Sequence, residues 1–123
     1  QIPPMVSAIK KDGIPLYKLA RQGQVVERKP RSVYVKNYEL TKIDVPNIDF
    51  VVNCSKGFYV RTYAHDIGQD LGCGAHLSSL RRTRSGKFNL ERAVPVAVLK
   101  EASTEDLVNS FISLAEISLM RGA

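Results

Sequence analysis

Residues 54–72 read CSKGFYVRTYAHDIGQDLG. A strand-like run ends here, a glycine permits a bend, and a helical pattern runs on to a second glycine. Gly57 tolerates backbone conformations that most residues resist. Beyond it, Val60, Ala64, Ile67 and Leu71 recur at helical spacing. They predict a helix over 59–71 with one buried stripe. Gly72 sits where a helix C-terminal glycine belongs. Tyr59 and Arg61 fall off that stripe, so the core does not obviously need them. An arginine at a helix start stands beside free backbone N–H groups and a partial positive charge. It can hold a carboxylate or a phosphate through two parallel hydrogen bonds. A tyrosine ring can stack on a base. The same spacing also fits a surface ion pair beside a partly buried tyrosine. From the residues alone, both readings stand.

Upstream, IDFVVNC (48–54) alternates, with Ile48, Phe50, Val52 and Cys54 on one face. RSVYVKNYELTKI (31–43) is rich in β-branched and aromatic residues and reads as a second strand. Pro46 and Asn47 lie between them, which predicts an antiparallel hairpin. Residues 1–31 carry Pro3-Pro4, Asp12-Gly13, Pro15, Gly23 and Pro30, all turn signals. Among these, LYKLARQG (16–23) reads as a short helix ending on Gly23. Lys10, Lys11, Lys18, Arg21, Arg28, Lys29 and Arg31 punctuate the same stretch. It is either a solvated surface excursion or an RNA-facing arm that orders on contact.

Downstream, AHLSSLRRTR (75–84) reads as a strand and SGKF (85–88) as a turn. On a strand, Arg81 and Arg82 point to opposite faces. A solvated basic edge and a phosphate contact are both open for them. AVPVAVL (93–99) is interrupted by Pro95 and is assigned to neither strand nor helix. Ser103, Thr104, Glu105 and Asp106 mark a helix start. Leu107, Val108, Phe111, Ile112, Ala115 and Leu119 continue it as one helix to about 119.

The 123 residues suffice for one domain with a core. The net charge of +6, from 18 Lys+Arg against 12 Asp+Glu, favours a polyanionic partner. No apolar run approaches the about 20 residues that span a membrane. Cys54 and Cys73 are too few for a disulfide framework, and both are expected to stay reduced in the cytoplasm. His65, Cys73 and His76 supply three zinc ligands at most where a closed site takes four. Asp66 and Asp70 share a helix face with no third acid nearby, so solvation or pairing with Arg61 or His65 explains them. No Gly-rich phosphate loop and no G-x-S-x-G elbow occurs. The chain opens on Gln1, not methionine. It is expected to be a piece of something longer.

Three blocks then align with a known family: QIPPMVSAIKKDGIPLYKLARQG (1–23), RSVYV (31–35) and CSKGFYVRTYAHDIGQDLGCGAHLSSLRRTRSGKF (54–88). Over roughly residues 1–99 the chain resembles the bacterial TruB-type tRNA pseudouridine synthases, which isomerise the T-loop uridine at tRNA position 55. The resemblance implies an α/β (α+β) fold, a mixed, mostly antiparallel sheet flanked by helices. It implies a partial catalytic domain over 1–123. Residues 1–31 would be an RNA-binding insertion, 31–99 a core of sheet and helix, and 103–119 a C-terminal helix. It implies no cofactor, no metal and no membrane, a tRNA T-arm as partner, and a parent that is a monomer. The oligomeric state of this chain is left open.

The resemblance also assigns roles. Tyr59 matches the tyrosine that packs at the flipped uridine. Arg61 matches the arginine that pairs with the nucleophilic aspartate. Leu80 matches an apolar residue lining the base pocket. Lys10, Lys11, Arg21, Arg28 and Arg31 become candidate phosphate contacts, as does Arg82. The family's aspartate belongs to a G-x-L-D motif, which is absent from these residues. The chain alone is therefore expected to be inactive. The alternatives are a non-catalytic RNA-binding module and a basic structural protein. Three positions depart from the family pattern: Phe58 stands for a threonine, Tyr63 for a leucine, and Val6 for an aromatic.

Overall fold

The hairpin expected ahead of the glycine bend is present. A computed structural model describes residues 1–121. The last two residues of the expected 1–123 span lie outside the described residues. The chain divides into two units, Gln1–Ser78 and Ser79–Ala123.

In the first unit, β3 (Val35–Asp44) pairs antiparallel with β4 (Asn47–Cys54). The elements before them are β1 (Lys10–Lys11), β2 (Ile14–Pro15) and α1 (Leu16–Arg21). Ile43 faces Ile48, Leu40 faces Phe50, and Tyr38 faces Val52. The register slips twice, between Val35 and Asn37 and between Leu40 and Lys42, and such bulges add local twist. Phe50, Val52 and Cys54 are half-buried, as the alternation predicts, but Ile48 on the same face is exposed and Asn53 on the other is half-buried. Phe50 meets Tyr63 edge-on, with ring centroids 6.0 Å apart. The ladder continues past β4. The Ser55 N–H donates to the Tyr34 carbonyl at 2.9 Å, and Ser55 Oγ accepts the Tyr34 N–H at 3.0 Å. A turn follows, in which the Phe58 N–H reaches the Ser55 carbonyl at 3.4 Å. Gly57 sits in it at φ 79°, a conformation that a side chain would strain.

Helix α2 (Val60–Asp70) leaves this turn, close to the predicted span. Its buried face differs from the expected stripe. Ala64 and Gly68 are buried, whereas Ile67 is 36% exposed and Leu71 is 68% exposed. The cause is the chain that returns after Gly72. The Gly74 N–H donates to the Gly68 carbonyl at 2.8 Å, so the 74–75 backbone lies directly on the helix. A methyl group on Gly68 would overlap the backbone of Gly74 and Ala75 and come within 2.6 Å of the Ala75 Cβ. Small residues one turn apart permit that approach, and larger apolar neighbours are left at the rim. Gly68→Ala is therefore expected to destabilise the protein. The helix gains about 1 kcal/mol of propensity, but forcing the loop away costs about 2–3 kcal/mol. The midpoint of denaturant unfolding should fall; a midpoint that rises would show that the loop yields freely.

The first 31 residues contain more buried structure than a solvated excursion would. β1 and β2 form a small antiparallel hairpin that feeds α1. Leu16, at the start of α1, is only 2% exposed. Its N–H donates to the Ile9 carbonyl at 2.7 Å, and the Tyr17 N–H donates to the Ser7 carbonyl at 3.0 Å. Pro3 and Ser7 are also buried.

In the second unit, two expectations are corrected. The strand read over 75–84 is absent. Residues 75–83 have no regular structure, and only β5 (Arg84–Ser85) pairs, with β6 (Phe88–Asn89). Leu77 and Leu80 are three residues apart, so the run has no period-two apolar face to bury. Among the described residues no strand lies beside it. The opposite-faces argument for Arg81 and Arg82 lapses with the strand; both side chains are exposed. The single C-terminal helix over 103–119 is also absent. Three short helices stand there and just before: α3 (Val96–Glu101), α4 (Thr104–Ser110) and α5 (Leu114–Arg121). Pro95 lies just outside α3, which resolves the segment left open.

The break between α4 and α5 has a local cause. Ser103 and Asp106 form a capping box at the start of α4, as the sequence suggested. Ser113 and Glu116 form a second pair. The Ser113 N–H donates to the Glu116 carboxylate at 2.9 Å, and the Glu116 N–H donates to Ser113 Oγ at 3.2 Å. A reciprocal cap satisfies two backbone donors at a new helix start. The Ser113 backbone bond, with help from Arg92 at 3.1 Å, holds the Glu116 carboxyl below the ordinary glutamate range. Phe111 and Leu114, beside the break, are 69% and 85% exposed.

Helices and antiparallel two-stranded sheets thus make up the fold, as the α/β reading expected. Among the described residues, no helix is long and apolar enough to cross a membrane.

Candidate active site

The turn at 55–58 delivers Tyr59 and Arg61 to the N-terminus of α2. Tyr59 is the N-cap, in extended conformation, and is half-buried. Arg61 stands in the first helical turn and is exposed. Its Nη2 donates to the Val6 carbonyl at 2.7 Å. Among the described residues no carboxylate lies within ion-pair distance of it.

Arg61 lines an open cleft of about 470 Å³ with Ile2, Pro4, Arg28, Thr62, His65 and Asp66. The walls are two sequence segments, residues 2–28 and the first turns of α2. Two guanidinium groups and one carboxylate leave the cleft electropositive, which favours an anionic or strongly polarised guest. Arg28 is half-buried. Its Nη1 donates to the Pro3 carbonyl at 3.2 Å, and its buried Nε has no hydrogen-bond partner.

The other residues singled out from the sequence lie on other elements. Lys10 and Lys11 form β1 and are exposed. Arg21 ends α1, with its guanidinium 5.4 Å from the centre of the Tyr17 ring. Such stacking leaves the guanidinium edge free to donate. Arg31 is exposed, and its backbone pairs with that of Gln1. Leu80 and Arg82 belong to the second unit; Leu80 is 63% exposed. Tyr59 is not among the cleft-lining residues, and Arg61 and Arg28 are the two predicted residues that share the cleft.

Sequence reasoning passed over Gln1 and Thr62. Thr62 follows Arg61 and is found simply by extending the helix. Gln1 opens the 1–23 block, but nothing in that block points to Tyr59, which its side chain contacts 58 residues away.

Two of the three departures from the family pattern, Phe58 and Tyr63, have a physical account; nothing in the structure explains Val6. Phe58 and Tyr63 touch, with ring centroids 5.4 Å apart, and Phe50 packs on Tyr63 from the hairpin. Two bulky rings replace two smaller side chains as one aromatic cluster beneath the start of α2. Tilted and edge-on pairs of this kind add about 0.5–1.5 kcal/mol beyond their buried area.

With this geometry in hand, comparison with known proteins is specific. Residues 1–60 match the family model "TruB family pseudouridylate synthase (N terminal domain)". Residues 61–118 match "tRNA pseudouridylate synthase B C-terminal domain". The join between the two falls inside the first turn of α2. Curated relatives named tRNA pseudouridine synthase B include one from Syntrophotalea carbinolica, 53% identical over 94% of this chain and 38% of the relative. One from Geobacter sulfurreducens is 53% identical over 92% of this chain and 38% of its own length. One from Opitutus terrae is 56% identical over 81% of this chain and 42% of its own. The chain thus spans about two-fifths of the length of these relatives.

Proposed function

The chain belongs to the TruB family of pseudouridylate synthases, and on that premise we propose that it is part of an isomerase converting the T-loop uridine of tRNA to pseudouridine. The observation that carries the proposal is the state of Arg61. Its guanidinium stands at an exposed helix start, held by one backbone carbonyl and by no carboxylate among the described residues. A fork of donors so placed is suited to receive one.

In this reading the target uridine is extruded from the T-loop, at a cost of a few kcal/mol that a strained loop reduces. Tyr59 packs against the uracil ring. Arg61 holds the aspartate of a G-x-L-D motif, supplied from outside these 123 residues, ionised and aligned. That carboxylate assists cleavage of the bond between N1 and the ribose. The uracil turns, C5 bonds to the ribose carbon, and the proton on C5 is lost as N1 regains one. No cofactor or metal is required by this balance. Leu80 contributes apolar surface to the base pocket. Lys10, Lys11, Arg21, Arg28, Arg31 and Arg82 contribute phosphate contacts. Their effect is salt-dependent affinity rather than choice of base.

Loss of the C5 hydrogen provides the test. The full-length protein is expected to release tritium to water from a T-arm stem-loop transcript carrying 5-tritiated uridine. Binding of that RNA without tritium release would favour the rival reading, a non-catalytic RNA-binding module, which the net charge of +6 also permits.

A further inference from the structure

We infer that Gln1 is a positioning residue for Tyr59 and Arg61, acting through the start of α2; the inference rests on the roles proposed above for those two side chains. Helix α2 begins without a cap of its own. The side chain of its N-cap residue, Tyr59, makes no capping hydrogen bond, and no acid stands in the first turn. Helix starts of this kind leave backbone donors unheld and fray readily.

Gln1 holds this start from across the chain. Its Oε1 accepts the Tyr59 N–H at 3.0 Å, and its Nε2 donates to the Tyr59 carbonyl at 3.2 Å. The same carbonyl accepts the Tyr63 N–H at 3.0 Å, the first bond of the helix. One planar carboxamide thus engages both backbone polar groups of Tyr59 and fixes the peptide planes on either side. Gln1 is itself anchored. Its carbonyl accepts the Arg31 N–H at 2.8 Å, and its nitrogen donates to the Arg31 carbonyl at 2.9 Å. Five residues on, the Val6 carbonyl receives Arg61 Nη2. Residues 1–6 therefore form a strap whose first residue sets Tyr59 and whose sixth steadies Arg61.

A glutamine is suited to this task because one donor and one acceptor share a plane. A glutamate offers acceptors only and sets a negative charge against the Tyr59 carbonyl. A methionine of similar length offers neither bond. Rotation of the N-cap peptide planes would swing the ring and the guanidinium together. A misplacement of about 1 Å at reacting groups costs about 10²-fold in rate.

The test compares wild-type full-length synthase with Gln1→Glu and Gln1→Met on the 5-tritiated T-arm transcript. Single-turnover rate, RNA affinity and thermal midpoint are measured for each. The single-turnover rate is expected to fall about tenfold in Gln1→Glu and about 10²-fold in Gln1→Met. RNA affinity should stay within about threefold, since phosphate contacts elsewhere supply it. Unchanged rates in the folded variants, or a fall confined to the thermal midpoint, would overturn the inference. If Gln1→Met fails to fold, Gln1→Glu decides alone. A wild type that releases no tritium overturns the proposed function and this inference with it. An active wild type with unaffected variants overturns the inference only.

Discussion

Arg61→Ala, introduced into the full-length enzyme, is expected to lower turnover on a T-arm substrate by about 10²–10³-fold. RNA affinity should change by no more than about threefold, because the phosphate contacts proposed above lie on other residues. The asymmetry follows from where Arg61 stands. Its guanidinium is in the first turn of α2, on the wall of an electropositive cleft, and not on the basic stretch 10–31. A carboxylate brought to it would be ionised by charge and aligned by two parallel hydrogen bonds. Without the fork, the carboxylate keeps its chemistry but loses its direction. Arg61→Lys keeps the charge and loses the planar fork, so an intermediate rate is expected. Both variants lack the fork, so the difference between them reports the charge, and the gap between Arg61→Lys and the wild type reports the fork with its bond to the Val6 carbonyl. If affinity collapsed while turnover survived, Arg61 would be a phosphate contact and the catalytic role would fall.

The 123-residue chain by itself is expected to form no detectable pseudouridine. The proposed chemistry needs a carboxylate nucleophile, and the motif that supplies it in the family has no counterpart in these residues. Removing a nucleophile from a well-studied hydrolase has cost on the order of 10⁶ in turnover. Among the described residues Asp66 is the one carboxylate lining the cleft with Arg61, yet it is not within ion-pair distance of that guanidinium. Tritium release by the purified chain would therefore refute the assignment of the nucleophile. Its loss in Asp66→Asn would then place the nucleophile on α2.

Features that depend on neighbours in sequence were legible before any coordinates. The hairpin over 35–54, the bend at Gly57, α2 and the Ser103 cap all rest on residues a few positions apart. The break before α5 belongs to the same class. Its signal, Ser113-Leu-Ala-Glu116, is a capping box like the one the structure shows at Ser103, but the continuous apolar pattern from Leu107 to Leu119 masks it. The missing strand at 75–83 is a different kind of error. The leucines of that run are not two apart, and among the described residues no partner strand lies beside it. The departures at Phe58 and Tyr63 looked like two separate irregularities in sequence. In space they are one contact.

The residues themselves determined which groups stand at the head of α2: a glycine bend, a tyrosine two residues on and an arginine two beyond that, since local backbone preference and helical period act over a few positions. Only the tertiary structure decided what holds those groups. Gln1 clamps Tyr59, Val6 receives Arg61, and the 74–75 backbone rests on Gly68. Each of these bonds joins a backbone polar group to a partner brought near by the path of the chain. Backbone N–H and C=O groups are the same in every residue type but proline, so their pairing leaves little mark in the order of side chains.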